Sequence, residues 1–120
     1  MLLREKDKKT LLQIFSSINL SFEVWAYGSR VKGSAHKGSD LDLVLRSSQL
    51  TPISIDIFSE LCEKIKSSNI PILVELRDWT MLPESFHRNI KEQHEILFSN
   101  LQPVLGEPNA EYKKNDDAAK

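Results

Sequence analysis

WAYGSRVKGSAHKGSDLDLVL, residues 25–45, is the stretch on which the fold turns. An apolar run over 22–27 leads into Gly28-Ser29, a basic segment with Gly33 and Gly38 reverses the chain, and Asp40-Leu41-Asp42-Leu43-Val44-Leu45 alternates carboxylate with aliphatic residues. Alternation of this kind predicts a strand, in which side chains i and i+2 share a face about 6–7 Å apart. Asp40 and Asp42 then point together, with Leu41, Leu43 and Leu45 buried behind them. Two carboxylates held side by side repel, and each prefers water or a cation. A divalent ion resolves the conflict, and hard oxygen ligands favour magnesium. At Gly28 the missing Cβ lets the backbone approach an anion closely, and amides at a helix start beyond Ser29 point at it. The stretch therefore reads as a triphosphate cradle facing a metal-binding carboxylate pair.

Other phosphate and metal motifs fit less well. Gly28 and Gly33 have P-loop spacing, but Ser34 stands where the P-loop has lysine, and Gly38 is likewise followed by Ser39. No G-x-G-x-x-G is present, and Asp40-x-Asp42 continues into Val44 rather than the oxygen ligands of an EF-hand loop. A D-x-D alone is a weak signal, shared with metal-dependent glycosyltransferases; G-S followed by D-x-D on a strand is far more specific.

That order resembles the DNA polymerase β-like nucleotidyltransferase superfamily, whose pattern is a hydrophobic strand, G-S, a short helix and D-[hydrophobic]-D. It stands here as Gly28-Ser29-Arg30-Val31-Lys32-Gly33 and Ser39-Asp40-Leu41-Asp42-Leu43, and the resemblance extends over residues 11–99. At 120 residues the chain is similar to the minimal nucleotidyltransferases of prokaryotes, antitoxins encoded beside a helical HEPN-domain toxin. The resemblance implies an α/β (α+β) fold with a small mixed sheet flanked by helices. It implies two Mg²⁺ ions about 3.5–4 Å apart, ATP as substrate, and Asp40, Asp42 and Glu75 as catalytic and metal-binding residues. Gly28, Ser29, Arg30 and Ser39 would bind the nucleotide. AMP would pass to a hydroxyl, that of a tyrosine, on the HEPN partner, in a hetero-oligomer.

Working outward, residues 5–17 have Leu11, Ile14, Phe15 and Ile18 at helical spacing, behind a solvated first half of Lys6, Asp7, Lys8 and Lys9. A first strand over 22–27 follows. Between Gly28 and Gly38 a short helix would turn Val31 and Ala35 inward. Arg30 would then reach the phosphates, Lys32 and Lys37 would be surface charges, and His36 either a solvated loop residue or a nucleotide contact. A second strand over 40–46 precedes a helix predicted to start at Thr51-Pro52, with Thr51 as N-cap. That helix carries Phe58, Leu61, Cys62 and Ile65 on one stripe, so Cys62 reads as a small core residue. A third strand over 72–77 alternates Ile72, Val74 and Leu76 with Leu73, Glu75 and Arg77; whether it pairs parallel or antiparallel stays open.

Glu75 is an acid within an otherwise apolar strand, costly unless paired or metal-bound. It is either salt-bridged to Arg77 or Arg46, or the third carboxylate that the superfamily places beside D-x-D. The family usually has Asp there; the longer Glu arm either still reaches or misplaces the second metal by about an ångström, enough to cost ~100-fold in rate. Trp79 reads as a core or interface anchor. A helix begins at Pro83-Glu84 with Phe86 and Ile90 inward, His87 and His94 are ordinary surface or edge residues, and residues 95–98 form a last strand. Residues 1–100 form the domain, and 101–120 a polar, disordered tail.

Composition bounds the function further. The net charge of −1 carries no basic field for nucleic acid. One cysteine allows no internal disulfide and fits a reducing cytoplasm. Leu2-Leu3 is followed at once by charges, so no signal peptide is expected, and no apolar run reaches the ~20 residues of a membrane span. With no second domain in the chain, the acceptor is expected on another polypeptide, with Trp25, Trp79 and the exposed part of the last helix as contact points. Two other readings compete with the enzyme. One is a non-catalytic nucleotide-binding subunit that neutralises its partner by stoichiometric binding; the other is a small-molecule nucleotidyltransferase, which would need a second, pocket-bearing domain.

Overall fold

The computed structural model describes residues 1–34 and 38–101. In chain order these form α1 (Glu5–Ser16), β1 (Phe22–Tyr27), α2 (Ser29–Lys32), β2 (Leu41–Ser47), α3 (Ile55–Lys66), β3 (Val74–Asp78), a 3-10 turn (Trp79–Met81), α4 (Glu84–Glu92) and β4 (Glu95–Ser99). Ala35, His36, Lys37 and the tail from residue 102 lie outside the described residues. The sheet order is β3-β2-β1-β4. β1 runs antiparallel to β2 and β4, while β2 and β3 are parallel. This is the expected mixed sheet with flanking helices, and it settles the pairing that alternation left open. A parallel pair needs a crossover, and α3 supplies it.

One face of the sheet carries Phe22, Val24 and Ala26 of β1 with Leu41, Leu43 and Leu45 of β2, buried beneath Leu11 and Phe15 of α1 and Leu61 and Ile65 of α3. The opposite face is not simply wet. There Trp25 and Val44 are covered by Trp79 of the 3-10 turn and Ile90 of α4. Trp25 and Trp79 meet edge to face with ring centroids 5.7 Å apart. Each burial contributes about 1.5–3 kcal/mol. Trp79 is the core anchor it reads as, and both rings are buried rather than available as partner contact points.

Both histidines also depart from expectation. His94 stacks on Trp25 at 3.8 Å and His87 on Trp79 at 3.9 Å. Each ring N–H donates back to a carbonyl: His94 Nδ1 to Ile90 at 2.9 Å, His87 Nε2 to Trp79 at 2.7 Å. The Arg46 guanidinium lies over both indoles, 3.9 Å and 4.4 Å from the Trp25 and Trp79 ring centroids. Burial lowers its pKa, against the pull of Glu23, 3.8 Å away. These stacks clamp α4 onto the sheet.

Further corrections follow from contacts between distant segments. Asp7 is buried, held by two hydrogen bonds from Arg4 at 2.9 and 3.1 Å, so the first half of α1 is not uniformly solvated. Thr51 does not cap α3: its N–H donates to Ser47 Oγ, and the cap is Ser54, which accepts from the Ile57 amide. The start moves because Ile53 is buried in the core and its N–H donates to Asp78 Oδ2 at 2.9 Å. Cys62 is exposed, since Leu61 and Ile65 face inward and leave it one position off the buried stripe. Phe86 is exposed, leaving Ile90 as the buried residue of α4. No helix among the described residues is long and apolar enough to cross a membrane.

Candidate active site

β1 delivers the chain to Gly28, which leaves the strand at φ 82° and ψ −159° and heads α2. That region is essentially closed to residues with a Cβ. Space forbids one as well: a Cβ at Gly28 would lie 2.5 Å from Asp42 Oδ2. The glycine therefore lets the bend and the carboxylate touch. Its carbonyl accepts from the Val31 and Lys32 amides at 3.1 and 3.0 Å, closing the single turn of α2, and no side chain caps that helix start.

Asp42 sits on β2 opposite Tyr27 of β1 and Glu75 of β3. Register partners share a face, so Tyr27, Asp42 and Glu75 form one row across the sheet, beside the Gly28 turn. Asp40 lies just before β2, exposed, two residues from Asp42 and close enough to act on it electrostatically. Burial raises the Asp42 pKa most; Glu75 adds to the rise, Arg77 opposes it, and Asp40 contributes a further push. The ionised form of Asp42 is thus under strain that a cation would relieve. Tyr27 is also raised, by burial first, against the pull of Arg77.

Glu75 makes the salt bridge to Arg77 that was one of its two readings, in surroundings more open than those of a buried strand. β3 is an edge strand, so Glu75 is half-exposed, and its Oε1 accepts from Arg77 Nη2 at 2.9 Å. It stands in the same row as Asp42, yet its carboxylate is engaged by arginine. Among the described residues no three His, Cys, Asp or Glu side chains converge closely enough to hold an ion. Asp42 has Asp40 two residues away and Glu75 as its register partner, with one Glu75 oxygen engaged by Arg77.

Arg30 is placed differently from a free phosphate-binding cation. Its Nε donates to the Ser39 carbonyl at 3.0 Å and its Nη1 to the Leu2 carbonyl at 2.7 Å. It thereby ties α2 to the residue that precedes Asp40. Ser29 opens α2, and Ser39 meets Arg30 through its backbone. Sequence reasoning missed the side of α4 turned towards Gly28, where Phe86, Asn89 and Ile90 of the helix and Gln93 at its C-cap line a cavity with Lys32. Their i, i+3, i+4, i+7 spacing was the available signal.

The nucleotidyltransferase domain model matches residues 8–99. The "Probable protein adenylyltransferase MntA" of Haemophilus influenzae is 37% identical over 102 residues, covering 85% of this chain and 84% of that protein. Solved structures share the fold. A crystal structure of a toxin–antitoxin with AMP-PNP superposes with a TM-score of 0.63 at 18% identity, over 78% of this chain and 73% of the other. Tri-AMPylated Shewanella oneidensis HEPN toxin in complex with MNT antitoxin gives 0.59 at 14% identity, over 81% and 73%.

Proposed function

This chain belongs to the nucleotidyltransferase domain family, and from that premise we propose that it is a Mg²⁺-dependent protein adenylyltransferase. It moves AMP from ATP to a hydroxyl, that of a tyrosine, on a HEPN-type toxin and so acts as a cytoplasmic antitoxin. The reading is supported by the name of the relative from Haemophilus influenzae and by the AMPylated toxin bound in one structural neighbour. Within this molecule, the contact between Gly28 and Asp42 carries it. A bend that can receive an anion directly adjoins a carboxylate that burial leaves in want of a cation.

Gly28 and Ser29 receive the triphosphate through the backbone. Asp40 and Asp42 hold Mg²⁺, with Glu75 completing the set once Arg77 lets it go, and Arg30 fixes the segment at Ser39 that precedes the pair. When bound, Mg²⁺ neutralises charge on the triphosphate and lowers the pKa of the acceptor hydroxyl. The chain's own work is orientation and electrostatics. The partner brings the hydroxyl to the row formed by Asp42 and Glu75.

The test incubates the chain and its HEPN partner with Mg²⁺ and ATP and weighs both polypeptides. The expected result is a gain of one or more AMP masses on the partner, absent with Asp42→Asn. A partner that is neutralised without any mass gain, and equally well by Asp42→Asn, would instead establish the non-catalytic binding subunit. The engagement of Glu75 by Arg77 is the observation that keeps this second reading in view.

A further inference from the structure

Beside the Gly28 turn lies a cavity of about 230 Å³ whose far wall is α4. Phe86 and Ile90 give that wall an apolar surface; Asn89 on the helix and Gln93, the C-cap residue just past its end, give it two carboxamides. Neither carboxamide has a hydrogen-bond partner among the described residues. The near wall is Tyr27, Gly28 and Lys32. A nucleotide whose phosphates rest at Gly28 and Ser29 has this cavity within one sugar's reach. The ammonium of Lys32 stands at its phosphate end, where a cation serves as a point charge.

We propose that this cavity is the base subsite of the nucleotide donor, and that Asn89 and Gln93 select adenine. The inference rests on the reading that Gly28 and Ser29 receive the triphosphate, and adds to it the part of the site that chooses the base. A carboxamide offers one donor and one acceptor side by side, which matches a base edge presenting one acceptor and one amino donor. Adenine has two such edges, N6 with N7 and N6 with N1, so both side chains find complete partners. Cytosine has one such edge and leaves the second carboxamide unmatched. Guanine's Hoogsteen edge presents O6 and N7 as two acceptors, the pattern that arginine or lysine meets, and its O6 with N1–H offers a single acceptor–donor pair, so one carboxamide is left unmatched. The Phe86 ring, 44% exposed in the free chain, offers a stacking surface and gains burial when a base arrives.

The experiment is calorimetric titration of the full chain, with Mg²⁺, by the α,β-methylene analogues of ATP, GTP and CTP and by inorganic tripolyphosphate. Wild type is expected to bind the ATP analogue at least about tenfold more tightly than the others, the value of one good bidentate pair. In Asn89→Ala/Gln93→Ala the three nucleotides are expected to converge to within about threefold while tripolyphosphate binding stays unchanged. Asn89→Asp/Gln93→Glu keeps shape but removes the donors, and is expected to lose the same preference. Undiminished discrimination in both double variants, or none in wild type, overturns the base subsite. Tripolyphosphate binding without base discrimination refutes this inference alone, whereas failure of wild type to bind any of the four ligands refutes the triphosphate reading beneath it.

Discussion

A single methyl group at position 28 would collide with Asp42 Oδ2 at 2.5 Å, so the bend and the carboxylate behave as one unit. Because burial and Glu75 raise the Asp42 pKa, the metal-free folded chain holds that proton more tightly than the unfolded chain. Stability in EDTA is therefore expected to fall as pH rises from about 4, the unfolded value, through the raised folded one. Asp42→Asn removes this slope, so thermal melts should find the variant more stable than wild type at pH 7 and equal to it at pH 3. The same variant is expected to abolish transfer, separating function from fold. Arg77 competes with any cation for Glu75. Both groups are partly exposed, so the pair is worth at most about 1 kcal/mol. Arg77→Gln is accordingly expected to tighten Mn²⁺ binding, followed by electron paramagnetic resonance, by up to about fivefold. Asp42 was legible from strand alternation, whereas Asp40 lies one residue before β2 and acts on Asp42 through its charge. Glu75 was legible as a carboxylate on a strand near Asp42, but not its state, because Arg77 could be weighed only as one of two arginines.

Asp78 shows how one element sets the bounds of another. Its carboxylate accepts from the Thr80 amide and hydroxyl at 2.9 and 2.8 Å, capping the 3-10 turn, and from the Ile53 amide ahead of α3. Asp78→Ala orphans a buried N–H and removes a cap, and is expected to cost about 2 kcal/mol. For a domain of this size that lowers Tm by roughly 10 °C in a thermal melt. The same contact explains why the predicted start of α3 at Thr51 was early. Pro52 after a hydroxyl residue is a sound local signal, but it was overridden by a partner 25 residues away at Asp78. Cys62 and Phe86 were misplaced for a different reason. A helical stripe covers an arc, and its margin is set by what covers it: only Leu61 and Ile65 of α3 and Ile90 of α4 are buried.

For the molecule as a whole, the acid row, the Gly28 turn and the α4 cavity come from four separate parts of the chain, so their ligand ties those parts together. Saturating Mg²⁺ with α,β-methylene ATP at about 100 times Kd is expected to stabilise the fold by about 2.7 kcal/mol. In differential scanning fluorimetry this is a rise of about 10 °C or more, much reduced in Asp42→Asn. By itself the sequence determined the order of elements, the face of each strand and the approach of the Gly28 turn to the strand that carries Asp42. Those features follow from periods of 2 and 3.6 residues and from the geometry of glycine, all local properties. Only the tertiary structure decided the parallel pairing of β2 with β3, the burial of Trp25 and Trp79 beneath α4, and the hold of Arg77 on Glu75. Each depends on which distant segment arrives to cover a face, and no local period encodes that.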